Sequence, residues 1–136
     1  MSVAVPLNGG DSSIAEARHL AVDFLTRARA DQDVHVSARA MDLTQLVVSE
    51  LVTNACKYAP GPMLMELCIV DATVAVTVHD SAAARPVARS EDPLRIGGHG
   101  LEIVMAVAQN FDVHPEPAGK RITARIALSG EPGSAR

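Results

Sequence analysis

The sequence predicts an α+β domain: a two-layer α/β sandwich with a mixed, mostly antiparallel sheet and helices on one face. Three observations predict it. Two stretches, about 14–30 and 38–58, repeat apolar residues at helical spacing. The period then changes, and MELCIVDATVAVTVHD alternates, with Met65, Leu67 and Ile69 on one face, followed by Val74, Val76 and Val78. A second alternating pair, FDVHP and RITARIAL, brackets an EPAG turn.

Each element has its own signals. Residues 1–11 read as an extended arm, with VAVPL as a short edge strand broken by Pro6 and Gly9-Gly10. Ser13 followed by Glu16 fits a capping box, and Ile14, Ala17, Leu20, Ala21, Phe24 and Leu25 keep helical spacing behind it. Ser37 is placed to cap the second helix, which PGP at 60–62 stops. Asp71-Ala72 is the expected hairpin turn. Residues 81–98 lack periodicity, and a loop of that length inside a compact domain is uncommon and often functional. Helical spacing returns over 101–110. The domain is expected over 12–128, with a disordered tail over 129–136.

Composition narrows the function. The chain has 136 residues, 48% of them apolar, enough for one domain with a real core. It has no Trp, one Tyr and two Phe, so Val, Leu, Ile, Ala and Met must build that core. The same scarcity removes stacking platforms for single-stranded nucleic acid, and a net charge of -4 supplies no broad field for phosphate backbones. No direct nucleic-acid role is expected. Cys56 and Cys68 sit in apolar segments without metal-ligand spacing, as small buried thiols in a reducing compartment would. The start lacks a basic n-region and no stretch approaches membrane-spanning length, so the expected location is cytoplasmic, with no membrane partner.

Three short motifs carry the chemistry. In SELVTNACKYA, residues Glu50, Asn54 and Lys57 fall at i, i+4 and i+7, one row at the edge of an apolar arc. Read alone, that row is an ordinary solvated seam. In VTVHDSA, Asp80 ends a strand just before the long loop, where a carboxylate can accept hydrogen bonds from a covered ligand. A strand-terminating turn is the plain alternative. In IGGHGLEIV, glycines 97, 98 and 100 permit close backbone approach and a helix follows at once, a combination suited to phosphate. Its glycine spacing is not that of the dinucleotide fingerprint. His79 and His99 flank the loop without a third ligand, which sets aside a metal hydrolase.

The order of these motifs, over roughly 14–128, resembles the GHKL ATPase superfamily of gyrase, heat-shock chaperones, histidine kinases and mismatch-repair ATPases. Among them the chain looks most like the small standalone anti-sigma-factor serine kinases. The resemblance implies the Bergerat ATP-binding fold, with ATP and Mg2+ as cofactors. It makes Asn54 the magnesium ligand and Glu50 the residue that acts as or orients the general base. Lys57 and Tyr58 would lie near the phosphates, and Asp80 would accept from the adenine amino group. Gly98 and Gly100, with His99 and Leu101, would form the second glycine box, and 81–98 the ATP lid.

Three departures stand out. Ala82 replaces a glycine that lets backbone approach adenine. His99 stands where small relatives often have Arg. The last strand's usual Thr is not at the aligned Arg121, and Thr123, two residues on, is the candidate instead. The implied role is an anti-sigma factor that sequesters a sigma factor and phosphorylates a serine on an anti-anti-sigma antagonist of the STAS type, as a homodimer. The alternative is a catalytically degenerate binding module. A histidine-kinase catalytic domain is disfavoured because no phosphoacceptor helix pair precedes it, and a larger ATPase because no transducer domain follows.

Overall fold

A computed structural model describes residues 1–81 and 100–129. The elements run β1 (Ser2–Leu7), α1 (Ser13–Asp31), α2 (Ala38–Tyr58), β2 (Met63–Val70), β3 (Thr73–His79), α3 (Gly100–Val107), β4 (Asn110–Glu116) and β5 (Gly119–Ala127). The five strands form one sheet in the order β1-β2-β3-β5-β4, and every neighbouring pair is antiparallel. The expected fold class is the one observed, and the arm over 1–11 contributes a full edge strand.

Register follows from turn chemistry and side-chain volume. Asp71 and Ala72 both take positive φ, 49° and 61°, the paired left-handed geometry that joins β2 to β3 with two residues. That turn sets Met65 against Val78, Leu67 against Val76 and Ile69 against Val74. On the next strand Ile122, Ala124 and Ile126 continue the same face. These residues, apart from the partly buried Ile69 packed against them, share one buried cluster with Phe24 and Leu25 of α1, Val47, Val48, Leu51 and Val52 of α2, and Val104 of α3. With so few rings, small branched side chains must interdigitate closely to fill that volume.

Helix ends differ in how they are held. Ser37 caps α2, accepting from the Ala40 N–H at 2.9 Å. The expected capping box at Ser13 does not form. Ser12 is the N-cap and makes no side-chain cap bond, while Ser13 is fully buried, its hydroxyl accepting from Gly9 N–H and donating to Asn8 Oδ1. That serine therefore ties the arm to α1. Gly9, at φ +83°, lies where a Cβ would collide with the Gly61 carbonyl, so only glycine lets the arm cross the turn after α2.

No helix among the described residues is long and apolar enough to cross a membrane. Cys56 and Cys68 are free thiols. Burial, reinforced by the charge of Asp11, pushes the Cys56 thiol up.

Candidate nucleotide site

Helix α2 carries the first group. Its buried side, Val47, Val48, Leu51, Val52 and Ala55, is fixed in the core, so Glu50 and Asn54 emerge half-buried at the rim, one turn apart. Among the described residues neither side chain has a hydrogen-bond or ion-pair partner. Lys57 and Tyr58 end the helix exposed, with Lys57 Nζ 5.4 Å from the Tyr58 ring centroid.

Gly100 opens α3 directly over Glu50. A Cβ at residue 100 would lie 2.8 Å from Glu50 Oε1, so the missing side chain is what makes room for the carboxylate. The glycine motif and the helix row, 50 residues apart in sequence, thus form one place. Leu101, 6% exposed, turns its side chain into the core. Only its backbone is left for a ligand. Ala82, Gly98 and His99 lie outside the described residues.

Asp80 follows β3 and is buried. Its N–H donates to the Lys120 carbonyl at 3.0 Å, and its Oδ1 accepts from the Lys120 N–H at 3.0 Å. Oδ2 pairs with Lys120 Nζ at 2.6 Å. Gly119 presses on the same residue: a Cβ there would collide with the Asp80 carbonyl and stand 2.7 Å from Oδ1. Sequence reasoning missed both Gly119 and Lys120. Their signal was the AGK step opening β5, which becomes legible only once the β3–β5 register pairs His79 with Arg121.

That register also places Thr123. Side chains alternate across a strand, so Lys120, Ile122 and Ala124 face the helices while Arg121, Thr123 and Arg125 face away. Thr123 Oγ1 bonds Thr77 Oγ1 at 3.0 Å, beside a shallow 550 Å³ depression on the outer face. Asp80 is on the other face. On the outer face His79 bridges Glu66 Oε1 at 2.9 Å and Glu116 Oε1 at 3.0 Å. Burial alone would lower the His79 pKa, but the hydrogen bonds and charges of Glu116 and Glu66 outweigh it and raise it.

The described residues contain no cluster of three or more His, Cys, Asp or Glu suited to a metal. Asn54 suits a different kind of ion. Its amide oxygen is a hard donor, half-buried and without a partner among the described residues, and magnesium takes few protein ligands when phosphate and water supply the rest.

Comparison with known proteins bears on the family and the fold. The profile of the histidine kinase-like ATPase domain matches residues 11–126. Among solved structures, the Acinetobacter baumannii histidine kinase AdeS aligns with a TM-score of 0.52 at 16% identity, over 94% of this chain and 68% of that one. At that identity the likeness speaks to fold. No match is found among curated proteins.

Proposed function

The chain belongs to the histidine kinase-like ATPase domain family, and from that premise we propose that it binds magnesium-ATP at the α2–α3 site and serves as an anti-sigma regulatory factor with protein serine kinase activity. One observation carries the reading. Glu50 and Asn54 stand one turn apart on a rigid helix, without protein partners among the described residues, beneath the Gly100 backbone. Half-buried at the rim and without partners among the described residues, the carboxylate and the amide are open to water or to a ligand.

In this reading Asn54 holds magnesium, which when bound neutralises charge on the phosphates. Glu50 accepts the proton of the attacking serine hydroxyl, or orients it. Asp80 accepts from the amino group of adenine. Lys57 and Tyr58, exposed at the helix end, remain the candidates nearest the phosphates. The sigma factor, the serine-bearing antagonist and the homodimer are part of the same proposal.

The test is phosphoryl transfer from magnesium-ATP to a cognate antagonist, with calorimetric titration of ATP alongside. Wild type should bind and transfer, Asn54→Ala should lose the magnesium dependence, and Glu50→Ala should bind without transferring. Binding without transfer by the wild type would remove the kinase half.

A second reading has its own observation. Asp80 is already engaged by Lys120, as it would be in a domain that keeps the fold and acts only by sequestering partners. A Glu50→Ala protein that still captured and released its sigma factor normally would favour that reading.

A further inference from the structure

Among the described residues Lys120 is the only buried cation, at 8% exposed. Lysine is almost never withdrawn from water without a partner, because desolvating an ammonium is costly. Its partner is Asp80, yet one carboxylate answers only part of what an ammonium offers. The group has three N–H donors, and among the described residues its one acceptor is Asp80 Oδ2. Two donors at a nearly dry position have no acceptor among the described residues. Within the pair, the Lys120 side chain is the more open, at 11% exposed against 3% for Asp80.

The pair therefore presents an acceptor and a donor side by side. The matching ligand edge has a donor and an acceptor side by side. Adenine has such an edge, an exocyclic amino group flanked by ring nitrogens. We propose that Lys120 reads the base together with Asp80: the carboxylate accepts from the amino group while the ammonium donates to a flanking ring nitrogen. The proposal rests on the nucleotide reading above and adds to it a second base-contacting side chain. Gly119 is what lets the pair form, since any side chain there would occupy the space taken by Asp80.

The test titrates wild type, Lys120→Met and Asp80→Asn with magnesium-ATP and with its 1-deaza and 7-deaza analogues, each lacking one flanking nitrogen. Wild type should bind one of the two analogues roughly 10-fold or more weakly than ATP, the loss expected for one hydrogen bond to a charged group. Lys120→Met should bind ATP weaker by a similar factor and should no longer distinguish that analogue. If Lys120→Met fails to fold, as judged by circular dichroism, the wild-type comparison of analogues still decides. Wild type indifferent to both analogues would overturn the proposal. So would a Lys120→Met protein that binds ATP as tightly as wild type or tighter, which would make the lysine a competitor for Asp80. If either occurs while Asp80→Asn abolishes ATP binding, the nucleotide reading stands and only the role of Lys120 falls. A folded wild type that binds none of the three nucleotides would sink both.

Discussion

Glu50 Oε1 lies 2.8 Å from the point where a Cβ at residue 100 would stand. Only the tip of a flexible side chain obstructs that Cβ, since Glu50 Cδ and Cβ are at ordinary van der Waals distance, 3.8 and 4.0 Å. Gly100→Ala should therefore fold normally while turning the carboxylate aside. A melting temperature within a few degrees of wild type, with phosphoryl transfer lowered about 100-fold, is the expected pair of results. Unchanged transfer would show that the position of Glu50 does not matter to the chemistry.

Gly119→Ala should behave in the opposite way. Its Cβ would meet the backbone carbonyl of Asp80, which cannot swing clear without breaking the β3–β5 ladder. A loss of about 3 kcal/mol in urea unfolding is expected, with nucleotide binding falling further than the folded fraction, because the same Cβ crowds Asp80 Oδ1. A stability near wild type would mean that the hairpin accommodates the extra carbon.

The His79 bridge makes stability depend on pH, with a definite sign. The imidazole is raised above its ordinary value of 6.5, so its two ion pairs contribute fully below that value. Their contribution is lost as pH rises through the higher folded-state value. Thermal melts of wild type should decline across that window, and Glu116→Gln should flatten the decline. NMR titration should place the His79 pKa lower in Glu116→Gln and in Glu66→Gln. The effect will be small, since Glu66 is 44% exposed and water screens the pair.

Thr123→Val should leave nucleotide affinity untouched, because Thr123 faces away from Asp80 across the sheet. It removes one hydrogen bond to Thr77, and a stability change of about 1 kcal/mol is expected. A clear fall in affinity measured by the same calorimetry would place the base on the outer face instead.

The elements themselves were legible because they follow from local periodicity. Alternating valines made strands, PGP ended α2, and Asp71-Ala72 made the turn. The row of Glu50, Asn54 and Lys57 was legible for the same reason, since helical spacing fixes which residues share a face. The Ser13 cap was misread because a hydroxyl near a helix start can serve the helix or the preceding chain. Here Asn8 and Gly9 hold it.

What the sequence determined alone was the order of elements, the apolar face of each, and the motifs that carry the chemistry. Only the tertiary structure decided that Lys120 pairs with Asp80 across 40 residues, that Gly100 covers Glu50, and that Thr123 faces away. Those three facts depend on strand register and on helix placement over the sheet. Because side chains alternate along a strand, a slip of one residue between β3 and β5 would exchange the faces of Lys120 and Arg121. Local spacing carries no record of that choice; the burial of Ile122, Ala124 and Ile126 against the helices makes it.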